Sequence, residues 1–340
     1  MILRPATLAA ACLLACSVHR AVAPAPPRPA PDQRALAVPD SLRSALAANP
    51  DSVLPLLVRR LTLGVADEST RARVIHDWVA DNLGYDADAY FRNDTCPGDV
   101  AGALRSGRSA CAGFANVCET MCRLAGLECV TIPGYARGYG FHAFGDEDPG
   151  AKNHAWNAVL VGGRWRLLDP TWAAGHISGR DFVKRYDDDY FFADPAAFIY
   201  THFPADPAWQ LLPEPVPDSA FRELPCLRGR FFGYGLRLIT PLARQTRTGE
   251  RSVVEIAVPD GVTLIARMVS SDSVPRRVPV TAGRGRVRLD LAFPEPGHWR
   301  VDVYARSAGA VGVYDGVASF AFVSSLEPGG RDRTSAPAGH

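Results

Sequence analysis

The stretch that decides the fold runs from residue 153 to residue 169 and reads NHAWNAVLVGGRWRLLD. Apolar residues on both sides of Gly162-Gly163 predict two antiparallel strands joined by a two-residue turn. If the strands pair directly across this turn, side-chain alternation puts His154 and Asp169 on one face of the sheet as diagonal neighbours. The hairpin therefore predicts a histidine whose ring is held by a carboxylate.

A cysteine at the start of a helix lies upstream of this hairpin. The turn-forming run at residues 106–110 leads into an amphipathic helix that begins near Cys111 and ends near Gly126, a typical C-terminal cap. Unpaired backbone N–H groups and the positive end of the helix dipole favour the thiolate in the first turn. Taken alone, Cys111 is more simply explained as a small core residue, like Cys118 and Cys122 on the same helix.

The three residues together predict covalent catalysis. An aspartate bonded to one ring nitrogen leaves the other nitrogen free to take a proton from a thiol, which is the arrangement of nucleophile, base and orienting group. The alternative is a surface histidine with a turn aspartate before Pro170. We predict a catalytic triad of Cys111, His154 and Asp169.

The motifs around these residues resemble the transglutaminase-like superfamily over roughly residues 61–212. The later motifs are similar to the branch of that superfamily that includes kyphoscoliosis peptidase. The resemblance is carried by GRSACAGFA (107–115), AGL (125–127), PGY (133–135), HAWNAV (154–159), WRLLDPTW (165–172), FIYTHFP (198–204) and WQLL (209–212).

This resemblance implies an α+β, papain-like core in which the nucleophile helix packs on an antiparallel sheet. It implies Cys111 as nucleophile, His154 as base and Asp169 as orienting acid. The reaction implied is acyl transfer through a cysteine thioester. Water would release the acyl group in a peptidase or amidase, and an amine would release it in a cross-linking enzyme; the sequence leaves this choice open. A catalytically inactive scaffold that binds an envelope protein or peptide is the alternative function.

The oxyanion region departs from the papain-like pattern. Such enzymes commonly place a glutamine ahead of the nucleophile, but the only glutamine before Cys111 is Gln33. The Cys111 N–H would then act with a second donor, for which Tyr85 or a nearby main-chain amide is a candidate. His142, in a glycine-rich loop that would form a lid, and Trp156, at the cleft wall or in the core, are candidate substrate contacts.

The N-terminal residues predict export. Residues 1–15 combine Arg4 with a short apolar run, as in a signal peptide. Leu13-Leu14-Ala15-Cys16 resembles a lipobox, which predicts lipid attachment at Cys16 and a membrane-anchored lipoprotein facing the periplasm or the cell exterior. Cleavage after Ala23 and simple secretion are the alternative.

The remaining segments of the chain differ in their composition and in their pattern of apolar residues. Short alternating runs near the C-terminus indicate a β-sandwich of immunoglobulin size. In order, we predict a proline-rich tether (16–37), a transglutaminase-like domain (38–212), a linker (213–228), the β-sandwich (229–325) and a disordered tail (326–340).

Composition limits the partners. The 340 residues include 37 Lys and Arg against 36 Asp and Glu, a net charge of +1 that leaves no broad basic face for a nucleic acid. The acidic run at residues 187–189 lacks the pattern of a calcium loop and is interpreted as a solvated face. We expect no cofactor and no metal, and a peptide or protein substrate in the cell envelope. Oligomeric state and disulfide pairing are left open.

Overall fold

The computed structural model describes residues 40–145, 147–270 and 274–325. The predicted signal peptide, the lipid site Cys16, the tether and the C-terminal tail lie outside the described residues. The described chain forms two compact units, one of residues 40–141 and 147–222 and the other of residues 142–145 and 223–325. None of the described helices is long and apolar enough to cross a bilayer.

The first unit is built mainly of helices and one central sheet. Its helices are α1 (Asp40–Ala48), α2 (Pro50–Thr62), α3 (Glu68–Asn82), α4 (Ala87–Arg92), α5 (Val100–Ser106), α6 (Cys111–Leu124), α7 (Pro170–Ala174), α8 (Pro195–Phe198) and α9 (Asp218–Glu223), with 3₁₀ turns at Asp188–Tyr190 and Pro207–Gln210. Its strands are β1 (Gly84–Tyr85), β2 (Arg108–Ser109), β3 (Cys129–Ala136), β4 (His154–Val161), β5 (Arg164–Leu168), β6 (Gly175–Ser178), β7 (Asp181–Lys184), β8 (Phe191–Ala193) and β9 (His202–Pro204).

The central sheet carries α6 on one face. Its strand order is β8-β5-β4-β3-β9, and all neighbours are antiparallel. Apolar residues at helical spacing on α6, among them Phe114, Val117 and Met121, are fully buried. Asn157 ties the layers together, because its Nδ2 donates to the Ala115 carbonyl of α6 at 3.0 Å. The predicted packing of the helix that begins at Cys111 on an antiparallel sheet is confirmed.

The β4–β5 hairpin has the predicted register. Val161 pairs with Arg164, and the ladder continues to the pair Asn157 and Leu168. Both turn glycines, Gly162-Gly163, have positive φ (57° and 72°), as the tight two-residue turn requires. Pairing ends at Leu168 because the chain then turns into α7.

A buried ion pair corrects one interpretation of the sequence. Arg73 is 0% exposed, and its Nε lies 2.6 Å from Asp77 Oδ2 while its Nη1 lies 2.5 Å from Asp188 Oδ1. Asp188 belongs to the acidic run at 187–189, which was interpreted as a solvated face. A buried guanidinium requires carboxylate partners, so Asp188 of this run, whose side chain remains 38% exposed, also supplies a structural counter-charge.

The second unit is a sandwich of two antiparallel-rich sheets. Its elements are α10 (Gly229–Gly233), β10 (Cys226–Leu227), β11 (Arg237–Leu238), β12 (Gln245–Thr248), β13 (Arg251–Ala257), β14 (Val262–Ser270), β15 (Arg276–Arg277), β16 (Val280–Gly283), β17 (Arg286–Ala292), β18 (Gly297–Ser307) and β19 (Asp315–Ser324). One sheet has the order β10-β19-β18-β14-β15 with β12 also paired to β19, and the other has the order β11-β13-β17-β16.

The core of this sandwich is aromatic. Trp299 is fully buried, and Phe293 packs on both Trp299 and Phe322, with ring centroids 6.0 and 5.4 Å away. The predicted all-β second part is therefore confirmed. The segment predicted as a linker, 213–228, contains α9 and β10, and β10 pairs with β19.

Candidate active site

Cys111 is the first residue of α6 and is half-buried. The backbone N–H of Ala155, the second residue of β4, donates a hydrogen bond to its sulfur. The first turn of a helix also presents unpaired N–H groups to this position. The thiol therefore lies where backbone donors converge.

The pKa of the Cys111 thiol is lowered. Burial acts to raise it, but the hydrogen bond from His154, the positive charge of His154 and the Ala155 N–H together outweigh burial. Each of these groups stabilises the thiolate and not the thiol. The thiolate, which is the nucleophilic form of a cysteine, is therefore favoured at this position.

His154 stands between this sulfur and a carboxylate. Its Nε2 lies 2.8 Å from Asp169 Oδ2, which leaves Nδ1 for the thiol. Burial would lower the pKa of the imidazole, but the charge and hydrogen bond of Asp169, followed by Cys111, raise it to about 10. A histidine with a raised pKa beside a cysteine with a lowered pKa indicates a thiolate–imidazolium pair.

Asp169 is completely buried and accepts four hydrogen bonds. Its Oδ1 caps α7 by accepting from the backbone N–H groups of Thr171 and Trp172, at 2.9 and 3.0 Å. Its Oδ2 accepts from His154 and from a second histidine, His202, at 2.8 and 3.1 Å. Burial acts to raise its pKa, but these partners hold the pKa well below the usual range. The carboxylate is thus both ionised and fixed in position.

Sequence reasoning did not find His202. Strand β9 reaches the site only through β3, because Gly134 of β3 pairs with His154 while Ala136 of β3 pairs with His202. No spacing within the hairpin connects His202 to Asp169. The only signal was its place in the motif at residues 198–204.

The rings of His154 and His202 lie in an aromatic enclosure. Phe198 stacks on His202 with ring centroids 3.8 Å apart and planes 10° apart. Trp172 contacts both histidines, at 5.5 Å from His154 and 4.4 Å from His202. Trp156, which is 1% exposed, lies 6.0 Å from His154 and 5.2 Å from His202. Trp156, a candidate substrate contact in the sequence, therefore supports the two rings from within the core.

The other two candidates differ in their placement. Tyr85 pairs in parallel register with Ser109, two residues before Cys111. Burial and the neighbouring Cys111 raise the pKa of Tyr85, so that it stays a neutral phenol that can donate a hydrogen bond. His142 groups with the second unit, in which its neighbour Phe144 stacks on His298 at 4.5 Å.

One cluster among the described residues has the composition of a metal site. Ligand-type atoms of His154, Asp169 and His202 lie within 4.8 Å of one another. Both imidazole nitrogens lie at hydrogen-bond distance from the same carboxylate oxygen, and a metal ion between them would break both bonds. We therefore describe the cluster as hydrogen-bonded and assign no metal or cofactor to it.

The comparisons with known proteins agree with this two-domain fold. Residues 56–170 match the transglutaminase-like superfamily, and residues 219–325 match the KY-like, immunoglobulin-like domain. The chain carries a transglutaminase-like domain followed by a KY-like immunoglobulin-like domain. The transglutaminase-like match includes Cys111, His154 and Asp169, whereas His202 lies beyond it.

The relatives are longer proteins. Kyphoscoliosis peptidase of Mus musculus is 35% identical over 207 residues, covering 60% of this chain and 31% of the mouse protein. Kyphoscoliosis peptidase of Homo sapiens is 31% identical over 274 residues, covering 79% of this chain and 40% of the human protein. The chain thus spans two fifths or less of the length of these curated relatives. A crystal structure of a TGase matches 45% of this chain and 37% of its own, with 17% identity and a TM-score of 0.29, a likeness too weak to carry an argument.

Proposed function

We propose that the transglutaminase-like domain catalyses acyl transfer on peptide or protein amides through a thioester on Cys111. The observation that carries this proposal is the continuous chain of hydrogen bonds from the Cys111 sulfur through His154 to Asp169. The transglutaminase-like fold supports thiol-dependent activity in general.

The proposed reaction begins with attack of the Cys111 thiolate on the amide carbonyl carbon. A carbon–sulfur bond forms, and the carbonyl oxygen becomes an oxyanion. The His154 imidazolium then gives its proton to the amide nitrogen, the carbon–nitrogen bond breaks and the amine leaves. His154, now neutral, takes a proton from water or from an incoming amine, which attacks the thioester and regenerates the thiolate. Asp169 keeps Nδ1 directed at the thiol throughout.

The oxyanion has two candidate donors. The first is the backbone N–H of Cys111, which belongs to the first turn of α6 and has no earlier helical carbonyl to bond. The second is the phenol of Tyr85, which stays protonated beside the sulfur. Donors of this kind act at the developing charge and are typically worth about 100- to 1,000-fold in rate.

Exposed aromatic rings beside the nucleophile favour a peptide substrate. Tyr85 lies 6.2 Å from the ring of Tyr90, which in turn lies 6.2 Å from Tyr139. Tyr90 and Tyr139 are 44% and 51% exposed, and Phe91 packs on Tyr139 at 5.5 Å. These rings belong to α4 and to the segment after β3, and they offer an apolar surface to an extended chain.

The location of this activity is proposed from the sequence alone. Export as a lipoprotein with lipid on Cys16 would place the domain in the cell envelope, and its substrate would be an envelope protein or peptide. Mass analysis of the mature protein tests this proposal: a diacylated N-terminal Cys16 is expected, and an unmodified N-terminus after Ala23 would replace it with simple secretion.

The test of the proposed chemistry compares two thiols of one protein. The full chain is alkylated with iodoacetamide between pH 6 and 8, and mass spectrometry reads each cysteine separately. Cys111 and Cys96 are both half-buried free thiols, but burial and nearby carboxylates raise the pKa of Cys96. We expect Cys111 to react at a nearly constant rate, while Cys96 slows about tenfold with each unit that the pH falls.

The matched control is His154→Ala, in which Cys111 should acquire the steep pH dependence of Cys96. A Cys111 rate in the unsubstituted protein that falls as steeply as that of Cys96 would refute the enzyme proposal. It would favour the alternative of an inactive scaffold, because a binding module has no use for a thiolate.

A further inference from the structure

The second histidine of the site occupies a defined chemical position. His202 is 1% exposed, and its Nε2 lies 3.1 Å from Asp169 Oδ2, the same oxygen that accepts from His154. Its other ring nitrogen, Nδ1, lies 2.8 Å from the hydroxyl of Thr201. Both nitrogens of His202 therefore have a partner, and neither faces Cys111.

These contacts place a hydrogen on Nε2 of the ring and are compatible with a neutral imidazole. A carboxylate oxygen can only accept, so Nε2 of His202 must carry a hydrogen. The Thr201 hydroxyl has one hydrogen, which it can donate to Nδ1 of a neutral ring at 2.8 Å or to the Phe198 carbonyl at 3.3 Å, and the contact with Nδ1 is the shorter. A neutral His202 that is protonated on Nε2 satisfies both contacts.

Two cations cannot share this carboxylate without repulsion. The rings of His154 and His202 have centroids 5.4 Å apart, and both donate to one oxygen. The titratable groups that face His202 are Asp169, His154 and Tyr190, whose ring lies 6.3 Å away, while Cys111 acts on it only through His154. The remaining neighbours are the uncharged rings that enclose it.

We propose that Asp169 is shared by two histidines with divided tasks, in which His154 carries the proton beside the thiol and His202 stays neutral as a positioning residue. His202 holds Oδ2 in place and, through its N–H dipole, weakens the stabilisation that Asp169 gives to the positive charge of the His154 imidazolium. The imidazolium can then give the proton on its Nδ1 to a leaving amine more readily. The proposal rests on the proposed function only in assigning the proton transfer to His154.

The titration behaviour agrees with this division. Burial lowers the pKa of His202, Asp169 acts to raise it, and the positive charge of His154 lowers it further, with a result of about 4. His154, with the thiolate as an additional partner, has its pKa raised to about 10. Coupled groups of this kind respond to each other's removal.

The test uses ¹⁵N-histidine labelling of the full chain and nuclear magnetic resonance titration of the ring nitrogens. In the unsubstituted protein at pH 7, His202 should show one protonated and one unprotonated nitrogen, with the hydrogen on Nε2. In His154→Gln, which keeps an N–H donor but removes the charge, the His202 titration should move up by about one pH unit or more. A doubly protonated His202 at pH 7, or an unchanged titration in His154→Gln, would overturn the proposal.

The reciprocal variants test the effect on His154. His202→Phe keeps the stacking on Phe198 but removes the donor to Asp169, and the His154 titration should move to higher pH. His202→Gln replaces the donor with an amide N–H and should restore the original value. His76→Phe serves as the matched control, because His76 is a fully buried histidine bonded to a different aspartate, Asp77.

The outcomes separate this inference from the proposed function. A purely structural His202 would lower thermal stability in His202→Phe and leave the His154 titration unchanged, as expected for His76→Phe. The titrations need no substrate and no reactive thiol. A Cys111 alkylation rate that falls with pH as steeply as that of Cys96 would therefore refute the proposed function, whereas an unmoved His154 titration would refute the division between the two histidines.

Discussion

Asp169→Asn isolates the electrostatic part of the site with little change in shape. Asparagine is as good an N-terminal cap as aspartate, so its carbonyl oxygen should keep the hydrogen bonds from the backbone of Thr171 and Trp172. The amide NH₂ must then take the place of Oδ2 and point at His154. Since two donors cannot face each other, Nε2 of His154 has to become an acceptor, and its hydrogen moves to Nδ1. In that tautomer the ring can no longer take a proton from the thiol.

The expected magnitude follows from the loss of the ion pair. The unsubstituted site should keep Cys111 as thiolate across pH 6–8, so that its alkylation rate is nearly flat. Without the pair, an ordinary thiol pKa of about 8.5 makes the thiolate fraction rise about 75-fold between pH 6 and pH 8. This ratio compares one protein with itself at two pH values, so differences in intrinsic thiolate nucleophilicity cancel.

The assay is iodoacetamide alkylation read at Cys111 by mass spectrometry, with circular dichroism as the test of folding. Asp77→Asn is the matched control, because Asp77 is also a buried aspartate bonded to a histidine but lies on α3. It should leave the flat profile of Cys111 intact. A flat profile in folded Asp169→Asn would refute the reasoning, as the thiolate would then not depend on the carboxylate.

The other expectations concern stability. The pKa of Asp169 is lowered from about 3.8, so its contribution to stability should be lost as the pH falls below about 4. The pKa of His154 is raised from 6.5 to about 10, so its contribution should be complete below about pH 6.5 and should be lost as the pH rises from there through about 10. Thermal unfolding between pH 3 and 11 should therefore give the highest melting temperature between about pH 4 and 6.5, and Asp169→Asn should lower that maximum. Gly113→Ala should lower the free energy of unfolding, measured in urea, by about 1–3 kcal/mol. The reason is that a Cβ at this position would overlap Ser109 Oγ and lie 3.0 Å from the Pro97 carbonyl oxygen. Unchanged stability would show that the start of α6 can shift to make room. Arg73→Met should lower the free energy of unfolding by about 3–5 kcal/mol, because it leaves the buried Asp77 without its guanidinium partner. The alkylation rate of Cys111 should stay independent of pH in this variant. A loss of stability below about 1 kcal/mol would mean that Asp77 is accessible to water.

The parts of the fold that sequence could predict depend on short-range pairing. The β4–β5 register follows from the two-residue glycine turn, and that register alone placed His154 near Asp169. The helix from Cys111 was equally local, because its apolar spacing and Gly126 mark its course and its end. Site residues can therefore be predicted from the sequence when residues that contact each other are also close together along the chain.

The parts that sequence could not predict depend on distant pairing. His202 enters the site because β9 pairs with the far side of β3, a contact between segments that are about seventy residues apart. Asp188 pairs with Arg73 across more than one hundred residues, and no local pattern shows that one carboxylate of an acidic run will bond a buried arginine. The segment 213–228 suggested a linker because of its prolines, but β10 within it completes a sheet with β19. The positions of His202, Asp188 and the segment 213–228 all depend on long-range contacts, which the local composition of the sequence does not reveal.

The central claim is acyl transfer through a thioester, and an acylation trap tests it most directly. The full chain is mixed with 4-nitrophenyl acetate, quenched in acid within seconds, digested and mapped by mass spectrometry, alongside Cys111→Ser and His154→Ala. The account predicts a single acetyl group on Cys111 that forms fastest in the unsubstituted protein and disappears when water or an added amine is given time to react. Acetyl groups spread over several cysteines and lysines, with none enriched at Cys111, would contradict it.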